Sequence, residues 1–341
     1  MSTRSGWTYA RAGVDRSKIH DLHKLALRAV STRPRKWGAY AGTVRYSGIT
    51  IAGHVDGVGT KALLARDPED YRVIGIDAVA MNVNDMICVG ARPIAVLDYI
   101  GLPKPSTEIV ENVISGISHA CKAVGAKLIG GETAILPDIY ANERCIDVIA
   151  FVIGVKGRYS RSLNRIGAGD VAIGVASSGL HSNGFSLVRK LLLEEKGYKL
   201  DDFVDRLGRP LTDELMRATK IYTRLVESLM RRGPRPTAIA HITGGGYTKL
   251  MRLVEGKGLK IVLDSMPEPP AVFKFIQEEG EIADPEMYKT FNMGVGLVMT
   301  FRDEDLDAAL KGIRRAGEVG WHIGRVERGR GVYVKGMRLD R

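Results

Sequence analysis

The chain has 341 residues, 45% hydrophobic and 26% charged, which fits a globular protein long enough for two domains. Its net charge of +11 attracts polyanions, but the basic residues are dispersed. The densest run, Arg33-Pro34-Arg35-Lys36, lacks interleaved aromatics, so nucleic-acid binding is set aside as the primary role. No apolar run approaches the roughly 18 residues of a membrane helix, and the first residues lack a signal-peptide core. Cys88, Cys121 and Cys145 are too widely spaced for a disulfide framework or a zinc knuckle. A cytoplasmic protein with no membrane partner is expected.

His20 and His23 fall three apart on a helix and read as surface residues, with no third ligand nearby. Residues 48–56 form a strand ending in an acid, and residues 60–66 start a short helix. A helix over 75–90 carries Asp77, Asn84 and Asp85 within about 100° of one another, with Ala80, Val83 and Ile87 on another side. A strand at 93–100 precedes an amphipathic helix at 106–124, where Ile109, Val113, Ile117 and Cys121 repeat every fourth residue. Strands at 126–130 and 146–155 follow. The polar stretch 156–169 marks a boundary, giving domains 1–160 and 161–341. Beyond it come strands at 170–176, 237–243, 259–263, 294–300 and 321–326, with a helix from Gly184. A further helix, 303–316, opens on acids and closes on arginines, as its dipole favours. Strands alternate with helices throughout, so the fold class is mixed α/β (α+β).

Five segments carry the chemistry. Asp56-Gly57-Val58-Gly59-Thr60-Lys61 offers an acid for Mg²⁺, glycines for close backbone approach and a lysine for a phosphate. The same residues fit Gly57-x-Gly59-x-x-Ala62 of a dinucleotide fingerprint, but Asp56 would repel a pyrophosphate that carries no metal. A plain glycine turn with a surface lysine is the bland reading. The Asp77, Asn84 and Asp85 face and Gly130-Gly131-Glu132-Thr133 add further oxygen donors, with Asp98 as a possible fourth acid. Together Asp56, Asp85 and Glu132 suggest a magnesium–nucleotide site. In the second half, His181-Ser182-Asn183-Gly184 and Thr243-Gly244-Gly245-Gly246 each join a strand to a helix N-terminus, which suits phosphate. His181 suits hydrogen-bond donation or proton movement near neutral pH.

The ordered set resembles the phosphoribosylformylglycinamidine cyclo-ligases, or aminoimidazole ribonucleotide synthetases. It runs from Tyr9-Ala-Arg-Ala-Gly-Val-Asp15 through His54-Val-Asp-Gly-Val-Gly-Thr-Lys61, Gly75 to Asp85, Leu97-Asp-Tyr99 and Gly130-Gly-Glu-Thr133. It continues through His181-Ser-Asn-Gly184 and Ala240-His-Ile-Thr-Gly-Gly-Gly246 to Phe291-Asn-Met-Gly-Val-Gly296. The resemblance implies a homodimer whose N-terminal domains pair into a barrel-like β-structure, each with a C-terminal α/β domain. It implies ATP-dependent, Mg²⁺-assisted ring closure of a phosphorylated ribonucleotide through a phosphorylated formyl oxygen. It assigns Mg²⁺–ATP to Asp56, Asp85 and Glu132, phosphate to Lys61, and a nucleotide contact to Asn84. Gly57, Gly59, Thr60 and Thr133 fall in the same nucleotide-binding motifs. Substrate falls to His181, Ser182, Asn183, Gly184 and Thr243 through Gly246, with Asp56, Lys61 and His181 catalytic.

One segment departs from the family pattern. Residues 37–42 are short and hold only two glycines where the family carries a longer glycine-rich stretch over ATP, and Lys36 is positioned to help there. Among relatives sharing the ATP site, selenophosphate synthetase would show a reactive cysteine near its N-terminus, and here none precedes Cys88. Thiamine-monophosphate kinase shares the acids but not the histidine loop with the triple glycine.

Overall fold

The computed structural model describes residues 6–29, 40–142, 145–157, 160 and 162–339. The basic run 33–36 and residues 37–39 of the glycine segment lie outside the described residues, as do the side chains of His20 and His23. The chain opens with α1 (Arg16–Ala29). A first sheet is then built from β1 (Gly42–Tyr46), β2 (Ile49–Gly57), β3 (Ala91–Leu102), β4 (Lys127–Ile135) and β5 (Asp147–Lys156), in the order β1-β2-β5-β3-β4. Only β3 and β4 run parallel, and the helix between them makes the crossover that parallel strands need. That helix is α3 (Thr107–Val124); α2 (Pro68–Cys88) packs beside it.

The second half holds β6 (Val171–Ala176), α4 (Phe185–Val188), β7 (Phe203–Val204), β8 (Arg209–Pro210), α5 (Leu211–Leu215), α6 (Thr223–Arg232), β9 (Ala238–His241) and α7 (Met251–Val254). These are followed by β10 (Leu259–Leu263), α8 (Ala271–Glu279), α9 (Asp284–Thr290), β11 (Val295–Phe301), α10 (Leu306–Arg315), β12 (Gly320–Arg328), β13 (Gly331–Val334) and β14 (Met337–Arg338). The sheet order is β14-β13-β10-β12-β6-β11-β9. Every residue of β11 is buried, which explains its unbroken apolar run. The mixed α/β architecture expected from the sequence is therefore present. Among the described residues no helix is long and apolar enough to cross a membrane.

Several boundaries differ from expectation. Helix α2 starts at Pro68 rather than at Gly75, because Asp67 caps it by accepting from the Asp70 N–H at 2.9 Å and Pro68 fits the first turn. Strand β4 runs on to Ile135, where it pairs with Leu102. Residues 59–64 form a 3₁₀ turn rather than an α-helix. Strand β1 is paired to β2 through a tight hairpin in which Ser47 and Gly48 both take positive φ.

The two faces of the first sheet differ. Ala52, Val96, Ile100, Ala150 and Val152 are buried beneath the helices, whereas Val44, Val55 and Phe151 on the other face are exposed, Val55 by 61%. Helices α2 and α3 cross with their backbones touching. A Cβ on Gly75 would lie 2.0 Å from the Val113 carbonyl oxygen, and one on Gly116 would lie 2.0 Å from that of Arg72. Alanine in a free helix is worth about 1 kcal/mol over glycine. Here the overpacking cost of about 1–3 kcal/mol outweighs it. Gly116→Ala should therefore lower the urea unfolding midpoint; an unchanged or raised midpoint would contradict the backbone crossing.

Candidate active site

The buried polar residues of α2 grip an extended segment of the second domain, residues 217–222. Asp77 Oδ1 accepts from the Thr219 N–H at 2.6 Å. The Asn84 amide donates to the Lys220 carbonyl at 2.7 Å and accepts from the Tyr222 N–H at 2.9 Å. Lys61 reaches the same segment, with its ammonium 2.6 Å from Asp77 Oδ2 and donating to the Arg217 carbonyl at 2.7 Å. Its exposure is 0%. The structure thus departs from the expectation for two residues. Lys61 would have to leave Asp77 to meet a phosphate, and Asn84, also fully buried, is satisfied by the domain junction rather than open to a nucleotide.

Asp56 and Asp85 come together at the end of β2. Asp56 is exposed, and its Oδ1 accepts from the Gly57 N–H at 2.9 Å. Its surroundings still desolvate it, and with the negative charge of Asp85 this raises its pKa above the ordinary aspartate value. Asp85 is buried. Burial pushes its pKa up, but Lys249, then His241 and His54, outweigh burial and hold the carboxyl below the usual value. His241 Nδ1 donates to Asp85 Oδ1 at 2.8 Å, and its Nε2 faces the Asn84 amide nitrogen at 3.4 Å, which fixes a neutral tautomer. Burial accordingly lowers the His241 pKa. His54 Nε2 lies 3.5 Å from Asp85 Oδ2. Its Nδ1 is 2.8 Å from Asn82 Oδ1, and Asn82 donates its own amide hydrogens to the Asp56 and Ala78 carbonyls at 3.0 and 2.8 Å. The amide orientation places a proton on His54 Nδ1. Lys249 completes the group by donating to Thr243 Oγ1.

The second-domain loops close on this cluster. Thr60 Oγ1 lies 3.1 Å from Ser186 Oγ, and Ser182 Oγ lies 3.0 Å from Thr219 Oγ1. Asn183 Oδ1 stands 3.1 Å from where a Cβ on exposed Gly244 would sit. Gly184 and Gly246 have positive φ, and a Cβ on either would strike the Phe291 ring or the Tyr288 carbonyl at close to 2 Å, 2.2 and 2.1 Å respectively. Gly59 and Gly245 also take positive φ, and Gly59 has open space around it. His181 is held at φ 61° and is buried. Its Nε2 accepts from the Ser178 N–H at 3.3 Å, while Nδ1 has no partner. Burial, then the charges of His241, Lys61 and Lys220, lower its pKa well below the histidine value, so the ring is neutral and the orphaned Nδ1 carries the hydrogen.

Glu132 does not join Asp56 and Asp85 within one chain. Register places Asp56, Ala150, Asp98 and Gly131 in one row across the sheet, and Glu132 one residue on, beside Tyr99. Side chains alternate along a strand, so Glu132 stands on the open face, opposite Asp56 and Asp98. Thr133 lines a separate groove of about 620 Å³ formed with Leu102, Pro105, Val110 and Ile114.

Among the described residues no group of three or more His, Cys, Asp or Glu side chains is placed to hold a metal ion. The residues fit Mg²⁺ in a narrower way. Asp56 is an exposed oxygen donor beside a second carboxylate that disfavours its charge, and Mg²⁺ needs only one or two carboxylates when phosphates supply the rest. His54, His241 and Lys249 received no role from the sequence. His54 had a usable signal: it lies two residues before Asp56, on the same side of a strand. Lys249 lies three residues past the triple glycine, with no local pattern to mark it.

Residues 38–155 match the AIR synthase related protein N-terminal domain, and residues 167–336 match its C-terminal domain. A two-domain protein of the AIR synthase related class is the result. A phosphoribosylformylglycinamidine cyclo-ligase of Saccharolobus solfataricus is 40% identical over 331 residues, covering 96% of each chain. One of Brevibacillus brevis is 42% identical over 290 residues, covering 84% of this chain and 83% of that one. A solved structure described as AaThiL complexed with AMPPCP and TMP has the same fold, with a TM-score of 0.64 at 21% identity, covering 95% of this chain and 94% of that one. The chain belongs to the phosphoribosylformylglycinamidine cyclo-ligase family.

The neutral state of His181 has a pH consequence. The unfolded chain binds a proton near the ordinary histidine pKa of about 6.5, which the folded chain resists. The stability this group contributes is complete above that pH and is lost as pH falls below it, by up to about 1.4 kcal/mol per pH unit. His241 is lowered in the same direction and adds to the slope. His181→Asn, which tolerates positive φ, should reduce the slope of unfolding free energy between pH 6.5 and 5.5. Equal slopes in the two proteins would exclude the assignment.

Proposed function

We propose that the chain closes the imidazole ring of formylglycinamidine ribonucleotide, using ATP to give 5-aminoimidazole ribonucleotide, ADP and phosphate. The observation that carries this is the convergence of Asp56 to Thr60, Asp85 with His241, Lys249, and the Asn183–Gly244 loops where the two domains meet, in a chain 40% identical to a named cyclo-ligase. A fold neighbour complexed with AMPPCP supports a nucleotide there. We take residues 1–160 as the nucleotide-binding and dimerisation domain and residues 161–341 as the substrate domain of a cytoplasmic enzyme.

In this reading ATP phosphorylates the formyl oxygen. The amidine nitrogen then attacks that carbon, loses a proton, and the oxygen departs as phosphate. Mg²⁺, held by Asp56 and nucleotide oxygens, would offset phosphate charge. Asp85 acts from behind, accepting from His241 on one oxygen while His54 Nε2 lies 3.5 Å from the other. Gly57, Gly59 and Thr60 let the backbone approach phosphate. Ser182, Asn183 and Gly184, with Asn183 set against Gly244 of the Thr243 to Gly246 turn, bind the ribonucleotide. His181 contributes an Nδ1–H donor rather than a base, since its Nε2 is already an acceptor. Such positioning and charge stabilisation supply most of the rate in phosphoryl transfer.

The exposed face carrying Val44, Val55 and Phe151 supports a homodimer built face to face on the first sheet. Glu132 lies on the same sheet's edge strand and points to that face, so any part it takes in metal or nucleotide binding would be taken across the dimer, whereas Thr133 serves from the groove on the helix face. Two measurements test this reading. Purified protein given the ribonucleotide, ATP and Mg²⁺ should form aminoimidazole ribonucleotide, and Asp56→Asn should reduce turnover at least 10²-fold, as expected for a lost charge-stabilising group, with the unfolding midpoint retained. Near-normal turnover would remove Asp56 from the site. Val55→Glu should shift the particle from twice the chain mass to the chain mass by light scattering; an unchanged mass would move the dimer contact elsewhere.

A further inference from the structure

Lys61 is buried on Asp77, away from Asp56 and Asp85, and the second domain supplies another cation beside them. Lys249 is half-buried on the turn that follows β9. Its ammonium donates to Thr243 Oγ1, a neutral acceptor from its own turn. Among the described residues it forms no ion pair. It nevertheless acts on both acids, and of the positive charges felt by Asp56 and by Asp85 it acts most strongly on each. It also lies 5.9 Å from the centre of the Tyr40 ring, which Arg252 covers from 5.2 Å. Tyr40 leads directly into β1 of the first domain. Lys249 therefore stands where the two domains meet at the acid cluster. It can swing from a neutral hydroxyl without stranding a buried charge, whereas Lys61 cannot leave Asp77 without doing so.

We propose that Lys249, and not Lys61, is the lysine that meets the transferring phosphate of ATP in the cleft of Asp56 and Asp85. This rests on the reading of that cleft as the nucleotide-phosphate site. A cation aimed at a transferring phosphoryl group is worth about 10²–10³ in rate, and Arg252 is too exposed and too occupied with Tyr40 to substitute. Lys249 would then serve as a catalytic residue contributed by the domain that also holds the ribonucleotide, which ties phosphate contact to substrate binding.

Three variants separate this role from a merely structural one. Lys249→Met removes the charge, Lys249→Gln removes the charge but keeps a donor for Thr243, and Lys249→Arg keeps the charge. The expected result is a kcat reduced about 10²-fold or more in both neutral variants, with partial recovery in the arginine variant. KM for the ribonucleotide and the unfolding midpoint should stay near wild type. Titration calorimetry with ATP and Mg²⁺, in the absence of the ribonucleotide, should show binding weakened about tenfold by either neutral variant, as loss of one charge-assisted contact implies, and adenosine binding unchanged. A glutamine variant with wild-type turnover and ATP affinity would overturn the proposal, because the Thr243 contact alone would then account for the residue. Should the methionine variant misfold, the glutamine variant decides. If the wild-type protein binds ATP but forms no aminoimidazole ribonucleotide, the assigned reaction fails, while the calorimetry still judges the Lys249–phosphate contact.

Discussion

The structure depends on a pair of opposite charges with no access to water. Lys61 and Asp77 meet at 2.6 Å in the junction between the domains, both with 0% exposure. Burying either alone would cost several kcal/mol, and the pair offsets this with two further bonds, from the ammonium to the Arg217 carbonyl and from the Thr219 N–H to the other carboxylate oxygen. Such a pair adds little stability over an apolar substitute, but it tolerates one register only. It fixes where the segment 217–222 lies on α2, and Asn84 extends the same grip about two turns further along that face.

That fixed junction sets the active-site geometry. Asp56 and Asp85 belong to the first sheet and α2, while His241, Thr243 and Lys249 belong to the second domain. The Asp85–His241 hydrogen bond crosses the junction, so the acid cluster is assembled by domain contact rather than by either domain alone. Its charges are arranged in opposition. Asp56 is pushed toward neutrality by the desolvation its surroundings impose and by the charge of Asp85, and Lys249 pulls both carboxylates back. A site with that imbalance gains from a cation at its mouth.

Much of this was legible in the sequence, for identifiable reasons. Strand-end acids, glycine turns and fourfold apolar repeats are local signals, so the strands, α3 and the residues Asp56, Asp85, Asn183 and Thr243 could be picked out in one pass. The junction contacts of Lys61 and Asn84 could not be read from the sequence, because a polar residue beside a glycine turn or on a helix face looks the same at a ligand site and at a domain junction; only the second domain's position separates the two. Glu132 was grouped with Asp56 because both follow short strands. The register that puts them on opposite faces depends on the strands lying between them, which no local window contains. The early start of α2 was missed because Gly75 reads as a boundary, whereas it serves close packing against α3.

His181 shows a conflict between durability and activity. It holds a left-handed backbone, which costs a non-glycine residue about 1 kcal/mol or more. It also keeps one ring N–H buried without an acceptor, at a further cost of about 1–3 kcal/mol. Both penalties vanish if the residue becomes glycine. Losing the buried ring would open a cavity in exchange, so under the proposed donor role stability and chemistry pull this position in different directions.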